Sequence, residues 1–403
     1  MQAIGNMVFC VLLLLGSGIA AAQSPYLFVW AADEDKADSD FVAVIDALPE
    51  SEAYGDILTT LPVGMSTVAH HSEHRMPQGG MLFVNGFRTG NTFVIDLTDP
   101  LVPGVAAHFT SVADLSFPHS FERLPNGNVL ATFQNGKDGE LVTGGLAELD
   151  PLGQVIRWSS ASSPDFPEIR PYSLLVLPDS DLVISTTADM RQNPMEDTAG
   201  LSNTLQFWRL SDLQLLQTIE LPPGPRGDEQ FAPAEPRLMA DGETLLVSTF
   251  RCGLYRVRNF DTANPVIEHV YTFQFENRAG ENRHCALPVT IGSYWIQTVP
   301  ARNALVSLDL SQLESPHEAS AVSLGEDHWV HWIAAESDGS RILVTGYQDM
   351  INKLAMLKFD PANGQLELDT DFGDEGFIKF NRASWPHGES GSGIPHGAVF
   401  STP

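Results

Sequence analysis

The sequence predicts an all-β protein, and three features of its pattern support this. Short runs rich in β-branched and aromatic residues alternate with turns that contain Gly, Pro, Asn and Asp, as in strands and hairpins. Little of the chain repeats apolar residues at helical spacing. The runs return in groups of up to four, roughly every fifty residues, which is typical of the blades of a β-propeller. We therefore predict a seven-bladed β-propeller.

The chain begins with an apolar segment that is typical of a secretory signal peptide. Residues 8–22 read VFCVLLLLGSGIAAA, and Ala20 and Ala22 have the spacing of an A-x-A cleavage site before Gln23. The run is too short to cross a membrane as a helix. We expect residues 1–22 to be a signal peptide, residues 23–403 to form a single domain, and the mature protein to be periplasmic or secreted.

The first strand of each later blade is predicted from a recurring phrase, an apolar run followed by a polar turn and a second apolar run. Residues 173–186 (SLLVLPDSDLVIST) and 236–250 (PRLMADGETLLVSTF) are clear examples. The starts of the first strands fall near residues 71, 119, 172, 235, 284, 331 and 396. The last start is a lone strand, whereas the three N-terminal runs lack a first strand. We expect the C-terminal strand to join the N-terminal blade and close the ring.

Charge and cysteine content limit the classes of partner. The chain has 51 acidic and 22 basic residues, a formal net charge of −29. Such a surface repels nucleic acid and anionic membranes, so we expect no nucleic-acid partner and no membrane insertion. An exported chain permits a disulfide between Cys252 and Cys285, but the sequence leaves that pairing open. It also leaves the oligomeric state open.

Histidines concentrate at the predicted starts of the first strands, which face one another across the axis of a propeller. The strongest group comprises His70, His71, His119 and His396, whose blades become neighbours when the ring closes. Neutral imidazoles clustered in this way suit copper, zinc, iron or nickel. In a straight strand, successive side chains point to opposite sides, so His70 and His71 can both bind one metal only if the backbone bends there.

Other polar residues at the starts are candidates for catalysis. Glu235 and Arg237 are expected across the channel from the histidines, either as a proton acceptor and an anion clamp or as a structural ion pair. His74 and His387 are expected at the rim, in supporting or substrate-binding roles. The sequence does not decide which further start residues approach the metal; these are Arg170, Tyr172, His284, His328 and His331.

Several segments resemble the selenium-binding protein family, whose bacterial members include copper-dependent methanethiol oxidases. The similar segments are LPVGMSTVAHHS (61–72), the blade that begins PHSFERLPNGNVLATF at residue 118, and IPHGAVFS (394–401). The resemblance implies a seven-bladed propeller with axial copper bound by His70, His71, His119 and His396, and a Glu-x-Arg pair at Glu235 and Arg237. Where the family often carries a cysteine pair, this chain has EHRMPQGG (73–80) and no cysteine. It therefore resembles a divergent, secreted member.

The resemblance implies oxidation of methanethiol by O2 to formaldehyde, hydrogen sulfide and hydrogen peroxide. We accordingly expect a copper-dependent oxidase that uses O2 on a small substrate, with a thiol as the first candidate. Two alternatives stay open from the residues alone. One is a periplasmic metal-binding or interaction propeller without turnover. The other is a lyase or hydrolase that holds zinc or iron in the same histidine cage.

Overall fold

The computed structural model describes residues 23–86, 89–137, 142–190, 201–275, 284–325, 328–346 and 352–403. Residues 1–22, where the signal peptide is predicted, lie outside these ranges. Strands dominate the described residues, with 3-10 turns at Pro178–Ser180 and Pro300–Arg302. Within these ranges, no helix is both long enough and apolar enough to cross a membrane.

Seven antiparallel sheets form the blades, as the repeat predicts. Blade 1 begins with β1 (Tyr26–Asp33), β2 (Phe41–Asp46) and β3 (Ile57–Pro62). Blade 2 contains β4 (Ala69–Ser72), β5 (Met81–Gly86), β6 (Asn91–Asp96) and β7 (Gly104–Phe109). Blade 3 contains β8 (Ser111–Val112), β9 (Leu115–Arg123), β10 (Val129–Gly136), β11 (Gly145–Leu149) and β12 (Val155–Ser160).

The remaining strands follow the same plan. Blade 4 contains β13 (Pro171–Leu177), β14 (Leu182–Thr187), β15 (Thr204–Arg209) and β16 (Gln214–Glu220). Blade 5 contains β17 (Pro233–Leu238), β18 (Leu245–Thr249), β19 (Gly253–Arg258) and β20 (Val266–Thr272). Blade 6 contains β21 (Pro288–Ile291), β22 (Tyr294–Val299), β23 (Ala304–Asp309) and β24 (His317–Ser323). Blade 7 contains β25 (Ile333–Ala335), β26 (Arg341–Thr345), β27 (Lys353–Asp360), β28 (Gln365–Leu368) and β29 (Phe377–Lys379). The chain ends with β30 (Asn381–Arg382) and β31 (Gly391–Phe400).

The C-terminal strand closes the ring, which confirms the prediction. Strand β31 pairs antiparallel with β1, with Phe400 opposite Leu27 and Val399 opposite Phe28, so blade 1 has the order β3-β2-β1-β31-β30. The innermost strands contact one another in the sequence β31, β4, β9, β13, β17, β21, β25 and back to β31. The first and last parts of the described chain are therefore held in one sheet.

Packing between blades explains why the strands appear as continuous apolar runs. Residues 41–45 of β2 are all buried, because both faces of the sheet are covered. Phe41, Ala43 and Ile45 pack into the cluster shared with blade 7. Val42 and Val44, which point to the other face, pack into the cluster shared with blade 2. The period of two in a strand thus divides one run between two neighbouring blades.

Five of the innermost strands carry a β-bulge at the axis, where two residues oppose one residue of the neighbouring strand. The bulged pairs are His70–His71, His119–Ser120, Tyr172–Ser173, Ala234–Glu235 and His396–Gly397. A bulge bends the strand and redirects its side chains. The repeat therefore places a pair of redirected residues from each of these blades at the axis.

Side chains on the second strand of a blade bind the backbone of the next blade, and we call them the tie residues. Trp30 Nε1 donates to Asn85 O at 2.8 Å, and Asn85 Nδ2 donates to His119 O at 3.0 Å. The other ties are Thr132 to Tyr172 O (2.8 Å), Thr186 to Ala234 O (2.7 Å), Thr298 to His331 O (2.8 Å) and Thr345 to His396 O (2.8 Å). Each such bond contributes about 1 kcal/mol and fixes the position of a backbone carbonyl at the axis.

The junction between blades 5 and 6 is built differently. Ser248 occupies the place opposite the bulge of β17, and its Oγ makes no hydrogen bond to any described residue. A disulfide between Cys252 and Cys285 joins the two blades instead. The sequence left open whether these two cysteines pair, and the structure shows that they do.

Candidate metal centre

His70 and His71 lie side by side, although they are consecutive in the chain. Both fall in the bulge of β4, and the backbone N–H of His71 donates to Asn85 Oδ1 at 2.8 Å instead of to a strand partner. Their ring centroids are 4.0 Å apart and the ring planes differ by 7°. The bend that simultaneous metal binding requires is therefore present.

His396 reaches the same place from β31. Its carbonyl accepts the Thr345 tie, and Gly397 follows it in the bulge. A Cβ atom on Gly397 would lie 2.6 Å from Ser72 N, which is closer than atoms can approach, so glycine is needed where β31 meets β4. The His396 ring centroid lies 4.5 Å from that of His70.

The fourth member of the group is His331, which the sequence left undecided. His70, His71, His331 and His396 each offer one ring nitrogen such that all four atoms lie within 4.8 Å of one another. The four come from three consecutive blades, numbers 2, 7 and 1. All are buried, with no more than 3% of any residue exposed.

His119 lies against this group without being one of the four. Its ring centroid is 4.4 Å from that of His71 and 5.1 Å from that of His70. Its Nδ1 is 2.9 Å from Tyr172 O, and a carbonyl can only accept, so Nδ1 carries the proton. That hydrogen bond orients the ring. The assignment of His119 as a metal ligand stays a prediction.

Burial keeps these imidazoles neutral. Desolvation lowers the pKa of His119 and of His396 to about 3, and it lowers the pKa of His71 and His331 well below the usual range. For His71 and His331 the neighbouring imidazoles lower the pKa further, because several positive charges cannot share this space. Neutral imidazoles have the lone pair that a metal ion requires.

The donor set fits a transition metal such as copper, zinc or iron. Imidazole is a good ligand for each of these ions, and four imidazole donors are close enough to surround one ion. Neither ring nitrogen of His71 makes a hydrogen bond to a described residue, although this residue is fully buried. Buried polar atoms normally have a partner, and a bound cation would supply one here.

Glu235, Arg237 and His74 meet beside the metal centre. Arg237 Nη1 and Ser173 Oγ donate to Glu235 Oε2 at 2.8 and 2.7 Å. Arg237 Nη2 lies 3.3 Å from His74 Nε2, and arginine can only donate, so His74 Nε2 accepts and the ring proton is on Nδ1. The predicted pairing of Glu235 with Arg237 is thus present, and it includes His74.

Burial controls the charge state of this trio. Glu235 is fully buried, and desolvation raises the pKa of its carboxyl although Arg237 opposes the rise. Desolvation lowers the pKa of His74 well below the usual range, and the positive charge of Arg237 lowers it further. Glu235 Oε1 has no hydrogen-bond partner in the described part of the chain. One carboxylate oxygen is therefore committed to Arg237 and Ser173, and the other is available for a proton.

A cavity of about 580 Å³ adjoins the trio. His74 and Arg237 form part of its wall, together with Arg75, Met76 and Ile333. It lies towards the ends of the inner strands, whereas the four-histidine group lies at their starts. A small molecule in this cavity would contact His74 and Arg237.

Three other predicted histidines lie elsewhere. His387 packs on Phe41, its Nδ1 lies 2.7 Å from Thr60 Oγ1, and its Nε2 lies 3.1 Å from Glu389 Oε2. It makes no contact with the four-histidine group in the described structure, so these contacts do not support its predicted rim role. The His328 ring packs 6.0 Å from that of Phe377. His284 stacks on Phe250, and its ring is 6.4 Å from that of His331.

Sequence reasoning missed two residues of this region. Glu122 is partly buried near Arg75 and Arg237, and desolvation raises its pKa to about 7. Trp332 contacts both His71 and His74. The segment HWVHW (328–332) repeats a His-Trp pair, and this repeat could have indicated Trp332 from the sequence.

Comparisons with known proteins agree with the resemblance noted in the sequence. No family model matches the chain. Methanethiol oxidase from Hyphomicrobium is 23% identical over 354 residues, which cover 82% of this chain and 77% of that protein. This similarity extends across several blades.

Solved structures share the fold. A hypothetical selenium-binding protein from Sulfolobus tokodaii superposes with a TM-score of 0.75 at 17% identity, covering 94% of each chain. The periplasmic gluconolactonase of Pseudomonas aeruginosa superposes with a TM-score of 0.63 at 15% identity, covering 94% of this chain and 99% of that one. At such identities the two matches establish the propeller and nothing about chemistry.

Proposed function

Because the chain is a divergent member of the family that includes methanethiol oxidase and selenium-binding proteins, we propose that it is a copper-dependent oxidase of a small thiol. The observation that carries the proposal is the buried group of four histidines whose donor atoms lie within 4.8 Å of one another. Methanethiol is the first substrate to test, because a relative with detectable sequence similarity is a methanethiol oxidase.

His70, His71, His331 and His396 would hold the metal, and His119, whose Nδ1 donates to Tyr172 O, would offer Nε2 as a further ligand. Bound copper would supply one-electron chemistry and reactivity towards O2. The protein's part is to keep these imidazoles neutral and fixed in place. Burial keeps His331 and His396 neutral. The Thr298 and Thr345 ties bind the carbonyls of His331 and His396 and so fix these two residues in place.

Glu235 is the proton acceptor in this proposal. A thiol must lose its proton during oxidation, and Glu235 Oε1 makes no hydrogen bond to a described residue. Arg237 and Ser173 hold the other oxygen and so fix the direction in which Oε1 points. The reaction balances as methanethiol, O2 and water giving formaldehyde, hydrogen sulfide and hydrogen peroxide. The partners are therefore a small-molecule substrate and O2.

We also propose that the protein is exported to the periplasm or secreted. The apolar segment at residues 8–22 supports this, because it is typical of a signal peptide. The Cys252–Cys285 disulfide supports it independently, because structural disulfides persist mainly in oxidising compartments. Fractionation of cells that express the full chain, followed by N-terminal sequencing of the mature protein, tests both parts.

The test of activity uses protein purified without chelator and, in parallel, protein reconstituted with copper, zinc or iron. We expect about one copper per chain, nitrogen hyperfine structure in the electron paramagnetic resonance spectrum, and O2 consumption on addition of methanethiol. Hydrogen sulfide and hydrogen peroxide should appear in equal amounts. Total copper is measured alongside, because the cuprous form gives no resonance signal.

Other results would favour the alternatives. Tight metal binding without turnover of methanethiol, ethanethiol or hydrogen sulfide would indicate a metal-binding propeller. Turnover that needs zinc or iron and continues under nitrogen would indicate a lyase or hydrolase. Protein that binds no metal after reconstitution would overturn the proposal.

A further inference from the structure

We infer that Trp332 is a positioning residue that fixes the metal-binding histidines relative to one another and to His74. The inference rests on the proposed metal site, and it concerns a residue that does not bind the metal. Trp332 is fully buried and immediately precedes β25. Its indole contacts His71 of the four-histidine group and His74, which lines the cavity.

One side of the indole holds the metal-binding segments together. Its ring centroid is 4.8 Å from that of His71, in blade 2. Trp332 follows His331 directly in the chain, so it shares the backbone of blade 7. Its Nε1 donates to Ala398 O at 2.9 Å, two residues after His396 in β31. One side chain thus contacts all three segments that supply the four histidines.

The indole also stacks on His74. The two rings are parallel within 4°, with centroids 4.7 Å apart. His74 in turn accepts a hydrogen bond from Arg237, which pairs with Glu235. The indole therefore makes direct packing contacts with both the metal centre and the trio, of which His74 and Arg237 line the cavity.

Stacking matters here because ring contacts, and no side-chain hydrogen bond to a described residue, orient the His71 imidazole. Ligating histidines usually donate their second ring nitrogen to a carbonyl or carboxylate, and that bond fixes the ring. Neither ring nitrogen of His71 makes a hydrogen bond to a described residue. Its ring packs on His70, His119 and Trp332. Removal of the indole would take away one of these three contacts and open space into which the His71 ring can turn.

The test compares Trp332→Phe and Trp332→Leu with Trp295→Leu. Trp295 is the matched control, because it is also fully buried and its Nε1 also has a partner, Gln297 Oε1 at 2.9 Å, but it lies in β22 of blade 6. Each variant is loaded with copper, and the measurements are release to a chelator and the electron paramagnetic resonance spectrum. Thermal unfolding of the metal-free forms measures the general cost of losing a tryptophan.

We expect Trp332→Leu to release copper about 10 to 100-fold faster, the range seen when residues that orient metal ligands are lost. Trp332→Phe keeps an aromatic face, so its rate of copper release should lie between those of Trp332→Leu and the wild type. If Trp332→Leu does not fold, the release rate of Trp332→Phe tests the inference. Trp295→Leu should lower thermal stability without changing the spectrum or the release rate. Equal effects of the Trp332 and Trp295 variants, or none from Trp332, would overturn the inference.

Crystal structures of metal-free wild type and the Trp332 variants separate this inference from the proposed function. Rotation of the His71 and His74 rings in the Leu variant, with the rings retained in the Phe variant, would support positioning even if the wild type binds no copper. Unmoved rings in the Leu variant would refute positioning even if the wild type proves to be a copper oxidase.

Discussion

Two sets of blades share one backbone plan but carry different side chains at the axis. The first set is blades 7, 1 and 2, and the second is blades 4 and 5. Blades 1 and 2 have histidines in their bulges, and blade 7 contributes His331 just before β25. Blades 4 and 5 carry Tyr172–Ser173 and Ala234–Glu235 in bulges of the same form. The repeat thus supplies a geometry, and the residues in the bulges decide whether a blade offers metal donors or hydrogen-bonding and acidic groups.

The two sets of blades also meet at the axis in a definite way. The first set holds the four-histidine group, whereas Ser173, Glu235 and Arg237 come from the second. His74 belongs to blade 2 but contacts Arg237 of blade 5. Metal binding is therefore expected to depend on blades 7, 1 and 2, and proton transfer on blades 4 and 5.

The largest expected effect comes from removing a metal donor. His396→Ala should weaken copper binding by more than roughly 100-fold, because loss of a ligand should exceed the effect of losing a residue that only orients one. His284→Ala is the matched control, since His284 is also buried, with its pKa lowered to about 3, but lies on the blade 6 side. Isothermal titration with copper measures both. An equal loss of copper affinity in both variants would show that the metal donors are not confined to blades 7, 1 and 2.

The second effect separates binding from turnover. Glu235→Gln should lower kcat on methanethiol by about 100-fold, the scale of general base catalysis, while copper content and the resonance spectrum stay unchanged. Glu229→Gln is the control, because Glu229 is buried but accepts backbone N–H groups of Arg226 and Gly227 instead of facing the axis. A loss of copper in Glu235→Gln would mean that blade 5 takes part in metal binding.

The third effect is a dependence of stability on pH. Desolvation raises the pKa of Glu122 to about 7, so the folded protein retains a proton that the unfolded chain releases above pH 4.5. The stabilising contribution of this carboxyl is present below pH 4.5 and is lost as the pH rises to about 7. The free energy of unfolding of Glu122→Gln should match that of the wild type near pH 4 and exceed it by about 3 kcal/mol at pH 8. Urea unfolding at both pH values measures this, and a constant difference would contradict the assignment.

The smallest effect compares two tie residues. Thr345→Val should lower the free energy of unfolding by about 1 kcal/mol, because it loses the bond to His396 O. Thr186→Val should lower it by about 2 kcal/mol, because it loses the bond to Ala234 O and the bond accepted from Ser173 N. Of these two residues, only Thr345 binds the carbonyl of a metal-binding histidine, so only Thr345→Val should alter the copper spectrum. A change of spectrum in Thr186→Val would show that distortion spreads around the ring.

Much of the fold could be predicted from the sequence because the repeat is visible in it. The predicted first-strand starts lie within a few residues of the inner strands, and the lone C-terminal run does pair with β1. The apolar runs indicate strands that are buried on both faces, and each run can be recognised without the rest of the chain. Ring closure was predicted because the N-terminal runs lack a first strand and the C-terminal run lacks partner strands.

The site was predicted less completely, because it depends on bulges. His70, His71 and His396 come together, and His331 joins them in the group, while His119 lies against it and stays a predicted ligand. The sequence does not show that His119 Nδ1 donates to Tyr172 O, which leaves Nε2 as the nitrogen that could bind a metal. His387 lies nine residues before His396, yet the intervening loop folds back on Phe41 and Thr60. Such details follow from side-chain partners that no single segment contains.

The disulfide between blades 5 and 6 would matter if the protein acts on thiols, as we propose. A thiolate can break such a bond by thiol–disulfide exchange when its sulfur reaches either cysteine. Cys252 and Cys285 are both fully buried. In the described part of the chain this is the junction without a tie residue, and packing around its disulfide would keep the proposed substrate from reducing it.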